Sequence, residues 1–187
     1  MAGGLPPHPP LWPKGRLPRL LGLFALAVAA TVVSFAIVSR ISSPKLLPGG
    51  SVAPAISLDA STGEHATLFG SNRPTVLEFF ESTCSVCQRE VPAMCALRKA
   101  HPEIDVYGVD AARENASTVN EFRRSQANGC IDFPLLLDPT SAVLRSYSVT
   151  VVPTVYLVDT RGRVAYTGTG AGGVDGLSSA ISTLGHG

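Results

Sequence analysis

The chain is 187 residues long, room for one ordinary domain and an appendage, and its 15 basic and 14 acidic residues leave a net charge of +1. The charges are unevenly spread: Lys14, Arg16, Arg19, Arg40 and Lys45 all precede the first acid, Asp59, and residues 59–187 hold ten bases and fourteen acids. That acidic balance gives no ground for nucleic-acid binding, which needs a basic face, nor for affinity to anionic lipid beyond an anchor.

Residues 1–19 include Pro6-Pro7-His8-Pro9-Pro10, a composition that cannot build a core, and read as a disordered cytoplasmic stub. Residues 20–39 carry no charge and as a helix would measure about 30 Å, one bilayer core. With Lys14, Arg16 and Arg19 ahead of this run and no acid beside them, the positive-inside rule puts the stub in the cytoplasm and the rest of the chain outside it. A signal peptide cleaved after Ala27-Val28-Ala29 is the alternative, but the apolar run continues well past Ala29, which suits an uncleaved membrane anchor. Either way the remainder is exported. Residues 40–50, with Pro44, Pro48 and paired glycines, read as an extended linker, and residues 51–187 as the folded domain.

Within that domain, strands are expected at 55–58 and 66–68, joined by the turn-rich Asp59-Ala60-Ser61-Thr62-Gly63 as a hairpin. A buried strand is expected over 75–80, then a helix over 85–100, a strand at 104–109, a helix over 116–127 and a strand at 133–137. Such alternation marks βαβ units and a mostly parallel sheet. A short helix at 141–146, strands at 154–158 and 163–167 flanking Asp159-Thr160-Arg161-Gly162, and a helix over 174–184 close the chain.

Cys84-Ser85-Val86-Cys87 stands where the 75–80 strand turns into a helix. At a helix start the free backbone N–H groups and the macrodipole stabilise a thiolate, which makes Cys84 the nucleophile. Two intervening residues keep Cys87 close enough to attack a mixed disulfide and release its substrate. Zinc normally takes four ligands, and no second C-x-x-C or H-x-x-H accompanies this pair; His8, His65, His101 and His186 are scattered. A peroxidatic cysteine of the peroxiredoxin type would want Pro and Thr or Ser seven and three residues ahead, where Leu77 and Glu81 stand. A copper chaperone of the Sco type would carry three residues between its cysteines. The sequence pattern implies no metal or other cofactor.

With the dithiol, Ala53-Pro54, Glu90-Val91-Pro92, Phe133-Pro134-Leu135, Asp138 and Val152-Pro153-Thr154 in view, residues 50–185 resemble a thioredoxin-fold protein of the TlpA/ResA type. The resemblance implies an α/β thioredoxin-like fold with an N-terminal β-hairpin and a central helix–strand insertion. It implies a membrane-anchored thiol–disulfide oxidoreductase that acts on cysteines of exported proteins, apocytochrome c among them, as a reductant recharged by a membrane conduit of the CcdA or DsbD kind. A disulfide-forming oxidase and a copper-holding or assembly module are the alternatives. Pro153 corresponds to the family's cis-proline opposite the dithiol; a proline that begins a strand cannot donate to the ladder there.

Glu78 occupies the place of a buried acid in thioredoxins, where a raised pKa suits proton exchange with Cys87; a structural role is the alternative. Glu90 is one helical turn beyond Cys87 and matches a glutamate near the active site of ResA-like reductases; by spacing alone it would be a solvated charge. Thr83 departs from the family's tryptophan, and its hydroxyl is expected to cap the helix. Cys95 is too far along the helix to resolve a mixed disulfide at Cys84. In an oxidising compartment Cys95 and Cys130 are expected to pair as a structural disulfide, with two buried free thiols as the alternative.

Overall fold

The computed structural model describes residues 45–69, 71–126 and 129–184. The expected stub, the 20–39 anchor and the first part of the linker lie outside them. Among the described residues no helix is long and apolar enough to cross a membrane.

Strands β1 (Ser57–Asp59) and β2 (His65–Thr67) pair antiparallel across a turn that places Gly63 at φ +94°, a conformation glycine adopts without strain. The expected hairpin is therefore present, each arm within two residues of its expected bounds. The main sheet is built on β3 (Thr75–Phe80), buried along its whole length. It pairs parallel with β4 (Asp105–Asp110) and antiparallel with β6 (Thr154–Val158). With β5 (Leu135–Leu136) and β7 (Val164–Thr169) the order is β5-β4-β3-β6-β7. Helices α1 (Ser85–Ala100), α2 (Ala116–Ser125), α3 (Ala142–Ser146) and α4 (Leu177–Leu184) connect and close it.

Side chains alternate along β3 and so feed two cores. Val76 and Phe80 pack with Met94 and Leu97 of α1, Phe122 of α2 and Leu177 of α4. Leu77 and Phe79 pack with Ile56, Tyr147 and Tyr156 on the other face. Each such side chain contributes roughly 1.5–3 kcal/mol by leaving water, which makes β3 a rigid base for whatever follows Phe80. Glu78 shares its parity with Val76 and Phe80, so it points toward the face covered by α1, between Gly108 and Val155 in register. Gly108 leaves room on that face: a Cβ there would lie 2.5 Å from Leu135 Cδ2 and 3.1 Å from the Phe80 ring.

Most of the elements shift by one to three residues from the expected bounds, and for three of them the local reason is plain. β5 is shorter than 133–137 because Pro134 has no N–H for a ladder and the Leu137 N–H turns away to Asp59 O at 2.9 Å. α2 ends at Ser125, with the Gln126 N–H closing on Phe122 O. α4 starts at Leu177 and not 174, because the chain over 170–177 folds in consecutive turns, Gly173 N–H to Gly170 O, Asp175 N–H to Gly172 O and Leu177 N–H to Val174 O.

Candidate active site

Parallel strands β3 and β4 end side by side, with Phe80 opposite Asp110. Sites in open α/β sheets lie off such carboxyl ends. The chain leaves β3 through Glu81-Ser82-Thr83 and enters α1 at Cys84. Thr83 does not cap the helix as expected: the helix begins at Ser85, so Cys84 is the flanking residue, and its Sγ accepts the Cys87 N–H at 3.1 Å. The first turn of α1 holds no acid, so nothing there opposes an anion at the positive end of the helix.

Cys84 and Cys87 are joined, with Cα atoms 5.3 Å apart. Cys84 is partly exposed, whereas Cys87 is 1% exposed and belongs to the core under α1. A thiol that meets a substrate must reach solvent, and one that resolves from within need not. The Cys84 Sγ also lies 3.9 Å from the carbonyl oxygen of Val152, and the Val152–Pro153 peptide bond is cis. Pro153 is buried, and its carbonyl accepts the Gly170 N–H at 2.8 Å.

Glu78 is 4% exposed, and its Oε1 has no hydrogen-bond partner. Burial, and then the nearby charge of Glu90, push its carboxyl up to about 8 from an ordinary value near 4.5. Glu90 is buried too, not solvated, and its Oε1 accepts the Gly172 N–H at 2.8 Å, while Oε2 has no partner. Burial raises its pKa; the N–H groups of Gly172 and Gly173 pull it part of the way back, and Asp175 adds to the rise. One turn of glycines therefore ties Glu90 on the dithiol helix to the cis-proline strand start.

The structure also brings in residues that local pattern did not single out. Ser82 is held from two sides: its N–H and hydroxyl both donate to the Glu114 carboxylate, the N–H at 3.1 Å, and its carbonyl accepts from Gln88 Nε2 at 2.7 Å. Asp110, wholly buried at the end of β4, accepts the N–H groups of Ala112 and Glu114. Burial lifts its pKa to about 6 against those two hydrogen bonds, with Glu114 and Asp138 adding to the rise. Its position at a parallel-strand carboxyl end was the available signal; Glu114 offered none. Cys95 of α1 is bonded to Cys130, which follows α2 in the chain, with Cα atoms 6.0 Å apart. Among the described residues no group of three or more His, Cys, Asp or Glu side chains is placed to hold a metal ion.

A family model described as the AhpC/TSA family matches residues 50–167. The sporulation thiol-disulfide oxidoreductase A of Bacillus subtilis is 26% identical over 109 residues, 56% of this chain and 64% of that protein. The thiol-disulfide oxidoreductase ResA of Geobacillus thermodenitrificans is 31% identical over 118 residues, 62% of this chain and 66% of that protein. The match thus spans a little under two thirds of each relative's length. Among solved structures, a putative thiol:disulfide interchange protein DsbE from Chlorobium tepidum superposes with a TM-score of 0.66 at 23% identity, covering 74% of this chain and 98% of that one. That likeness shows the fold, which is thioredoxin-like.

Proposed function

The chain belongs to the AhpC/TSA family of thioredoxin-fold proteins, and we propose that it is an extracytoplasmic thiol–disulfide oxidoreductase that reduces cysteines of exported proteins. The observation that carries this reading is the position of Cys84: an N-cap sulfur that accepts a backbone N–H, partly exposed, beside a cis-proline. The Cys84 thiolate attacks a client disulfide and displaces one client sulfur as a thiolate. Cys87 then attacks Cys84, the Cys84–Cys87 bond forms, and the second client thiolate leaves. Burial lifts the Glu78 carboxyl to about 8, closer to the range of a thiol than an ordinary carboxylate lies, and this suits Glu78 to take the proton of Cys87.

Location and direction belong to the same proposal. The uncharged 20–39 run behind Lys14, Arg16 and Arg19 supports a single-pass anchor with the domain outside, and the Cys95–Cys130 bridge suits an oxidising compartment. As a reductant the protein would serve clients such as apocytochrome c and be recharged by a membrane conduit of the CcdA or DsbD kind. The test is capture: the full chain with Cys87→Ser, produced in its own compartment, accumulates mixed disulfides with clients, and Cys84→Ser/Cys87→Ser accumulates none. The reduction potential settles direction, since reductants of this fold lie near about −270 mV and strong oxidants near about −120 mV.

A further inference from the structure

We infer that the surface beside Cys84 selects client segments in which an aliphatic and a cationic side chain flank the reacting cysteine, and that Glu81 reads the cation. The inference rests on the oxidoreductase reading and adds the chemistry of the client. A cavity of about 170 Å³ is lined by Leu144, Val149, Val151 and Val152, with Thr150 and Glu81 as its polar members. Val152 also connects it to the reaction centre, because its carbonyl lies 3.9 Å from Cys84 Sγ. An extended chain rises about 3.3 Å per residue, so side chains within one or two residues of a cysteine bonded to Cys84 reach this cavity. Its size admits a side chain and not a cofactor, whose sites start at roughly 300 Å³. Val151 is 50% exposed, one of two large apolar side chains so exposed among the described residues, and it gains from being covered.

The charge argument is separate from the apolar one. Around the dithiol, Glu114 is engaged by Ser82, Glu90 by Gly172 and Asp110 by two backbone N–H groups. The Glu81 carboxylate has no hydrogen bond or ion pair with any described residue, although its backbone carbonyl accepts the Cys84 N–H at 3.1 Å. An unengaged anion at the edge of an aliphatic cavity favours a Lys or Arg on the client and disfavours an acid. The ten bases and fourteen acids of residues 59–187 point the same way.

The test uses the reduced full chain and short peptides of equal length, each with one cysteine held as a mixed disulfide with thionitrobenzoate. Cys84 attacks the peptide sulfur, the coloured thiolate leaves, and Cys87 then releases the peptide thiol, so two electrons pass from the dithiol to each mixed disulfide. Flanking residues are varied as Leu or Ser on one side and Lys, Gln or Glu on the other. At low salt the Lys peptide should react about fivefold faster than the Glu peptide, the scale of a solvent-exposed charge pair. The ratio should fall toward one in Glu81→Gln, invert in Glu81→Lys, and shrink for the natural sequence as salt shortens the Debye length. Leu should outperform Ser, and Leu144→Ser should narrow that difference. A Lys-to-Glu ratio that is the same in all three proteins, or no preference for Leu, overturns the inference alone. Failure of every peptide to react with the natural sequence overturns the oxidoreductase reading with it.

Discussion

Helix α1 carries two disulfides, and their surroundings differ more than their chemistry. Cys84 is at the N-cap, where its sulfur accepts a backbone N–H, and its partner is three residues away. Cys95 is inside the same helix, where N–H groups are spent on the helix itself, and its partner is 35 residues away. Opening the first bridge frees only a few residues, whereas opening the second releases the chain that contains β4 and α2. In the chain-entropy description that is worth about 2 kcal/mol against about 3–4 kcal/mol. Arg73, Arg98 and Lys99 line a cavity beside the second bridge, but Arg73 is paired with Asp105 and Arg98 with Asp132, so their pull on a thiolate is muted. In the proposed function, one bond type acts as a reagent at the end of a helix and as a staple in its middle.

The sharpest way to break this comparison is to remove each bridge in turn. Cys84→Ser should lower thiol–disulfide exchange by at least about a thousandfold, on the scale of losing a nucleophile. The double change Cys95→Ala/Cys130→Ala should keep exchange within about threefold and cost about 3–4 kcal/mol in urea unfolding. If the double variant loses exchange while remaining folded, the second bridge is not a staple. A matching labelling experiment follows from helix position: after full reduction, brief iodoacetamide treatment should modify Cys84 at least about tenfold faster than Cys87, Cys95 or Cys130, as mapped by mass spectrometry.

Glu78 sharpens the contrast from the inside. Its pKa is raised from 4.5 to about 8, so the folded protein holds a proton that the unfolded chain has released between those values. Stability on this account is fully present below about pH 4.5 and is lost as pH rises through 8. Glu78→Gln should flatten that decline, gaining on the natural sequence by up to a few kcal/mol at pH 8 at about 1.4 kcal/mol per pKa unit. The same variant should accumulate mixed disulfide with a model substrate, because an amide cannot take the Cys87 proton, and the defect should shrink as rising pH ionises Cys87 directly. Equal resolution rates across that range would make Glu78 a structural residue only.

The smallest effect is expected at the polar clamp before Cys84. Glu114→Ala removes both hydrogen bonds to Ser82, a loss of about 1–2 kcal/mol in stability. If the clamp also positions Cys84, its alkylation rate should change by a few fold while that of reduced Cys95 does not. Equal changes at both would mark a general loosening of the fold.

What the chain alone determined is local or periodic. The 75–80 strand, the 85–100 helix and the 154–158 strand appear at the expected residues because an apolar run bounded by turn residues and a dithiol at a strand–helix junction are signals within a few residues of sequence. The paired half-faces of the sheet follow from alternation along β3, which also put Glu78 toward α1. Cys84 and not Thr83 is the cap, because capping propensity ranks residue types, while the identity of the N-cap depends on which residue first takes helical dihedrals. The contacts that decide the site are long-range. Gly172 reaches Glu90 across 82 positions, Val152 reaches Cys84 across 68, and Glu114 reaches Ser82 across 32. No window of sequence contains both ends of such a contact. Only the assembled sheet, by pairing β3 with β4 on one side and with β6 on the other, turns a partly exposed sulfur, two buried carboxyls and an unengaged glutamate into one site.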